Sequence, residues 1–123
     1  MQHLNSVLLE GNLTRDPVLS DTPNGTRVCA FTVASDRYFR QNGKTEKEVS
    51  FFDIEVWATL AEACAEHLCK GRSVRVVGHL RHDRWTHSDG KNRDKVKIVA
   101  EHVEWKPLPK ANDADTEEAR DIE

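Results

Sequence analysis

The chain has 123 residues, 37% hydrophobic and 32% charged, which leaves room for one compact domain and a short tail rather than two ordinary domains. No apolar run approaches the roughly 18 residues of a membrane-spanning helix, and Met1-Gln2-His3-Leu4 lacks the basic-then-apolar pattern of a secretory leader, so neither is expected. Lys and Arg number 18 against 21 Asp and Glu, a formal net charge of −3, but residues 111–123 hold six acids and one base while residues 70–97 hold nine bases and three acids. Such a basic stretch reads either as a polyanion-binding surface or as charge that serves solubility. Three cysteines, an odd count without a disulfide framework, fit a reducing, cytoplasmic setting.

Val7, Leu9 and Leu13 alternate along a first strand that Gly11 interrupts, which predicts a bend or bulge there. Asp16-Pro17 and Pro23-Asn24-Gly25 are turn signals. A second strand is expected over residues 27–35, with Cys29, Phe31 and Val33 on one face, followed by a long charged connection over residues 36–48 that contains Asn42-Gly43. A third strand covers residues 49–57. Thr59 and Glu62 have capping-box spacing, and Leu60, Ala61, Cys64 and Leu68 then form one helical stripe. Lys70 suits the last helical turn and Gly71 the position just past it. Strands resume over residues 73–81 and about 95–104. Three strands, a helix and two strands are compatible with a five-stranded barrel carrying its helix between strands three and four, although other small α+β folds share that order. From Lys106 onward Pro107 and Pro109 stop strand pairing, and residues 108–123 are expected to be a flexible acidic tail after a domain over residues 1–107.

The third strand is the most informative. Phe52, Ile54 and Val56 share a face that can fill a core, whereas Val49, Phe51, Asp53, Glu55 and Trp57 share the other. A face with two carboxylates is a poor barrel interior, because burying unpaired charge costs several kcal/mol. Phe51 and Trp57 are therefore expected on an outer surface, where they either pack under a loop or partner subunit or stack on nucleic-acid bases. Trp85 lies amid polar residues, between Arg81-His82-Asp83-Arg84 and Thr86-His87-Ser88-Asp89-Gly90-Lys91. Tyr38-Phe39 sits between Arg37 and Arg40. Rings interleaved with cations suit single strands: the rings stack without reading sequence, and the cations follow the phosphates.

These residues resemble the bacterial-type single-stranded DNA-binding proteins. The likeness runs from about residue 4 to residue 105, through Gly11-Asn12-Leu13-Thr14-Arg15-Asp16-Pro17, Pro23-Asn24-Gly25 and Phe31-Thr32-Val33-Ala34. It continues through Trp57 with Leu60-Ala61-Glu62, Leu68 with Lys70-Gly71, and Gly78-His79-Leu80-Arg81 leading to Trp85. The resemblance implies an all-β fold, a five-stranded oligonucleotide-binding (OB) barrel with one short helix. It also implies a homotetramer that binds and protects single-stranded DNA, without sequence preference, in replication, recombination and repair. The family's motif aromatics fall on Phe39, Phe51, Trp57 and Trp85, and its bases most directly on Arg81 and Arg84. Lys70, Arg72, Arg75 and Arg93 join them from the basic stretch.

The sequence departs from the family pattern in three ways. Phe39 and Phe51 stand where tryptophan is frequent. Asp53 and Glu55 lie on the expected binding face, so either the DNA path avoids them or a neighbouring arginine pairs with them. The chain given ends Asp121-Ile122-Glu123 rather than in the Pro-Phe tip through which family members recruit repair and replication enzymes, which puts that recruitment in doubt.

No catalytic residue, metal or cofactor is expected. Cys64 and Cys69 fall about 140° apart around the predicted helix and do not face one ligand position. Only Asp53 and Glu55 of a nuclease-like set with His82 and Asp83 share a face. The expected setting is cytoplasmic, on the nucleoid, with no membrane contact. The alternative is an OB-fold replication accessory whose exposed aromatics form a protein interface.

Overall fold

Alternation of apolar and polar residues builds the barrel wall, and the computed structural model describes it for residues 2–107. The expected acidic tail, residues 108–123, lies outside the described residues. In chain order the elements are β1 (Val7–Leu13), β2 (Val18–Asp21), β3 (Arg27–Gln41), β4 (Lys44–Trp57), α1 (Ala58–His67), β5 (Ser73–Thr86) and β6 (Asn92–Trp105). β1 is the expected first strand; β2, past the Asp16-Pro17 turn signal, is not among the expected strands and continues the position of β1 along β3. Five strand positions therefore close the barrel, in the order β1-β5-β6-β4-β3-β2 with β1 also pairing β3. All pairings are antiparallel except β4–β6, where Ile54 lies opposite Ile98. This is the OB barrel, with its helix between the third and fourth strand positions.

Leu13, Cys29, Phe31, Val33, Ile54, Val56, Val74, Val76, Ile98, Ala100 and Val103 fill the interior, and Ala61, Cys64 and Leu68 bring α1 onto it. Burial pushes the Cys29 thiol up and the Cys64 thiol up to about 12, the latter with help from Cys29. Phe52 has the inward parity expected for core but remains half-exposed, at the point where β4 has parted from β6, whose pairing is with Ile54 and Glu55.

Local expectations change at several places. Gly11 carries no bulge: the register runs unbroken from Glu10–Arg75 through Gly11–Val74. A side chain there would collide with the Ala34 carbonyl, where β1 crosses onto β3, so the glycine permits closure. The register irregularity falls instead at Val77/Gly78 in β5.

The connection expected over residues 36–48 is a two-residue turn. Asn42 (φ 53°) and Gly43 (φ 77°) are both left-handed, as a tight hairpin requires, and β3 and β4 run right up to them. Beyond the barrel both faces of this arm meet water, so it lacks the hydrophobic alternation that signals a strand.

The capping box does not form. α1 begins at Ala58, one residue before Thr59, with Trp57 as N-cap and no side-chain cap hydrogen bond. The strand turns into the helix through left-handed Ala58 (φ 60°). At the other end, the helix stops at His67. Lys70 and Gly71 therefore lie past it, in a turn where Gly71 (φ 87°) donates its N–H to the Leu13 carbonyl at 2.8 Å.

Candidate nucleic-acid interface

The outer side of β4, β6 and β5 is set by the parity of the core. Ile54, Val56 and Ile98 point inward, so Phe51, Asp53, Glu55 and Trp57 on β4 and Arg93, Lys95 and Lys97 on β6 point outward. Cross-strand register adds Arg81 opposite Lys97, Asp83 opposite Lys95 and Trp85 opposite Arg93. Phe51 is 65% exposed, Trp85 46% and Trp57 37%. Phe51 and Trp57 stand about 20 Å apart along β4, and Trp85 lies two strands across.

Between the rings lies an ion-pair lattice. Arg81 reaches Asp83 with two bonds of 2.8 and 3.0 Å, and Glu55 at 2.7 Å. Lys97 bridges Glu55 at 3.1 Å and Asp83 at 3.0 Å. Lys95 pairs with Asp53, which also accepts the Thr32 hydroxyl at 2.8 Å. Glu55 also accepts the Trp57 indole N–H at 2.8 Å, which fixes one edge of that ring. Of the two alternatives for the carboxylates, pairing with a neighbouring arginine holds for Glu55, through Arg81, whereas Asp53 pairs with Lys95 instead.

The protonation behaviour follows these contacts. The Arg81 and Lys97 bonds hold Asp83 far below the usual carboxylate range. The Lys95 bond lowers Asp53 against the opposing effect of burial. Burial alone would raise Glu55, but Lys97, Trp57 and Arg81 together turn the net shift downward. Arg81 is raised, chiefly by Asp83. Lys97 is raised because its two carboxylates outweigh its burial.

Not every expected residue stands on this face. Phe39 has the opposite parity to Phe51, and the Arg37 guanidinium lies 4.7 Å from its ring centroid. Tyr38, 65% exposed, shares the side of Phe51 instead. Arg84 faces away from Trp85, with its Nε 3.3 Å from His82 Nδ1, and His82 in turn contacts Asp94 at 2.8 Å. Arg93 flanks Trp85 and binds Asp89 at 3.0 Å.

Lys70, Arg72 and Arg75 gather at the start of β5. The Lys70 backbone N–H donates to Asp16 at 2.8 Å. Arg72 ties the His67 and Lys106 carbonyls at 2.8 and 2.7 Å. Arg75 binds Glu10 at 2.6 Å and Glu104 at 3.6 Å. Ten residues of extended β5, about 33 Å, separate Arg75 from Trp85. Lys95 and Lys97 were not singled out from sequence, and of the pair Tyr38-Phe39 the sequence assigned Phe39 rather than Tyr38 to the face. Counting outward from Ile98 would have found the lysines, and carrying β3 past Ser35 would have found Tyr38.

Among the described residues, no group of three or more His, Cys, Asp or Glu is placed to hold a metal ion, and no helix is long and apolar enough to cross a membrane. The face offers rings to stack on and hydrogen-bonding charges between them.

Known proteins share this arrangement of chain. A protein named single-stranded DNA-binding protein from Aquifex aeolicus is 39% identical over 120 residues, covering 97% of this chain and 81% of its own length. Single-stranded DNA-binding protein 2 of Chlorobaculum tepidum is 38% identical over 120 residues, covering 96% and 81%. Among solved structures, a Plasmodium falciparum SSB complex with ssDNA superposes with a TM-score of 0.78 at 20% identity, over 85% of this chain and 97% of that one, which supports the barrel fold. The profile of the single-strand binding protein family matches residues 4–105, and the chain belongs to that family.

Proposed function

We propose that this protein binds single-stranded DNA without reading its sequence, and shields it during replication, recombination and repair. The observation that carries this reading is the placement of Phe51, Trp57 and Trp85, all exposed, on one outer face of an OB barrel. Bases stack on these rings. Each contact contributes roughly 1–3 kcal/mol and tolerates any base, because every base has a π-face. Family membership and the names of the relatives point the same way. Chemistry on the strand is not part of the reading, and the expected setting is cytoplasmic, on the nucleoid.

The protein acts as a homotetramer in this account. Phe52, Leu80 and Val96 are exposed on the inward-parity side of β4, β5 and β6, at the edge of the core. Register places them together: Leu80 lies opposite Ile98, and the parallel pairing of Ile54 with Ile98 brings Phe52 level with Val96. An apolar patch of this kind suits burial against another subunit. It uses different side chains from the ring-bearing face, so assembly and DNA binding do not compete for residues.

Titration of the protein with a thymidine homopolymer, followed by tryptophan fluorescence, tests the reading. Quenching that saturates, and that a duplex of the same length does not reproduce, is the expected result. An unchanged emission spectrum, with no complex by gel shift, rejects it in favour of a protein-interaction barrel.

A further inference from the structure

Among the described residues, Arg81, Lys95 and Lys97 of the outer face are each already bound to a carboxylate of the same face, while Arg93 stands beside Trp85 and Arg15 at the margin near Asp53. Arg81, Lys95 and Lys97 stand against Asp53, Glu55 and Asp83. Arg81 and Lys97 each touch two carboxylates, and Asp83 and Glu55 each touch both of those cations. The formal charge of the six groups is zero. Glu55 lies deepest, its side chain only 12% exposed, beneath Arg81, Lys97 and the Trp57 ring edge. The Lys95–Asp53 pair lies at the margin of the lattice and is the most open to solvent.

Such a lattice changes the thermodynamics of strand binding. A lysine or arginine exposed to solvent releases a counterion from the nucleic acid when it meets a phosphate, and that release is the main source of salt-dependent affinity. A cation taken from a protein carboxylate behaves differently. The phosphate gives up its counterion, but the abandoned carboxylate recruits one from solution. The net release is close to zero, and the desolvated carboxylate then faces a phosphate of like charge.

We propose that Asp53, Glu55 and Asp83 act as built-in competitors of the DNA backbone, so that this face holds a single strand through its bases and draws little on its own cations. The proposal rests on the single-strand reading above and refines it, naming the residues that set how much of the affinity comes from stacking. The strand's phosphates follow the edges of the face, and the lattice underlies the stacked bases as a neutral, hydrogen-bonding floor. Affinity is thereby less sensitive to salt than the nine bases of residues 70–97 would suggest. Release from the strand also avoids breaking many phosphate contacts.

The test is binding of a dye-labelled thymidine homopolymer to the full chain across a salt series, for wild type, Asp83→Asn and Asp53→Asn. Removing one competing carboxylate frees about one cation, which steepens the log–log salt slope by about 0.7 and tightens binding about fivefold near 0.1 M salt, with the difference vanishing towards 1 M. Lys95→Gln has little effect in the wild type but cancels the gain in the Asp53→Asn background. Thermal unfolding of each variant accompanies the titration. Asp53→Asn, at the margin, serves where loss of the three bonds to Asp83 unfolds the protein.

Tighter binding with a steeper slope supports the proposal. Unchanged or weaker binding by folded variants, with the wild type still binding, overturns it and leaves the single-strand reading standing. No binding by the wild type overturns the single-strand reading, and this proposal with it.

Discussion

The closed barrel and the arms that project from it follow different rules. In the barrel, one side of β3, β4 and β5 is sealed: Val33, Val56 and Val76 are fully buried, and side chains one residue away reach solvent. In the arms, β3–β4 towards Asn42-Gly43 and β5–β6 towards residues 87–91, both sides are wet. Cross-strand ion pairs replace the core there, as between Arg37 and Glu48 at 3.1 Å and between Asp36 and Lys47 at 3.9 Å. Surface pairs of this kind contribute little to stability. Stability therefore resides in the barrel, and the arms are free to hold rings in water.

The most severe way to break this division is to damage the barrel. Phe31→Ala removes a buried ring from the centre of the core and is expected to cost about 3–5 kcal/mol of stability. Chemical denaturation measures this. Affinity per folded molecule is expected to hold wherever the variant still folds.

Trp85→Ala is the converse. Roughly 1–3 kcal/mol of single-strand affinity is expected to disappear while the unfolding midpoint stays within about 2 °C, a shift that corresponds to only a few tenths of a kcal/mol for a domain of this size. Equal loss of stability and affinity would merge the two regions.

A finer cut separates neighbouring residues. Tyr38→Ala is expected to weaken binding by up to about 1 kcal/mol, and Phe39→Ala by less, since only Tyr38 shares the side of Phe51. The reverse order, read by titration calorimetry, would mean that arm twist overrides strand parity in placing rings on the strand.

The smallest expected effect is on pH dependence. Asp53, Glu55 and Asp83 are all depressed in the folded state, so the stability they add is complete above the ordinary carboxylate range. It is lost only as pH falls below about 4, through their folded-state values. A stability curve that already declines between pH 7 and 5 would show that the lattice is not the source.

The barrel was legible in the sequence because burial leaves a period. Cys29-x-Phe31-x-Val33 and Ile54-x-Val56 gave strand, face and core together, and the two carboxylates at Asp53 and Glu55 marked the outer side. The arms were not legible as strands, because a ribbon with two wet faces has no hydrophobic alternation. That is why residues 36–48 read as a loop although the Asn42-Gly43 turn was visible. The layout of the basic stretch was not legible for a related reason. Charge along the chain does not reveal where a strand carries it: Arg75 in β5, and Arg72 just before it, lie at the opposite end of the strand from Trp85. The capping-box spacing at Thr59 and Glu62 failed because β4 runs straight into α1 through Ala58, leaving Thr59 inside the helix.

The central claim, that the exposed indoles of β4 and β5 receive unpaired bases, carries its own control. Of the three tryptophans, Trp105 is stacked on His67 at 5.2 Å, away from the ring-bearing face. Fluorescence titration with a thymidine homopolymer should therefore compare the wild type with a Trp57→Phe/Trp85→Phe variant that keeps only Trp105. The expected result is strong, saturable quenching in the wild type and almost none in the variant. Quenching of equal depth in both would contradict the account, since the strand would then be reporting from the far side of the barrel.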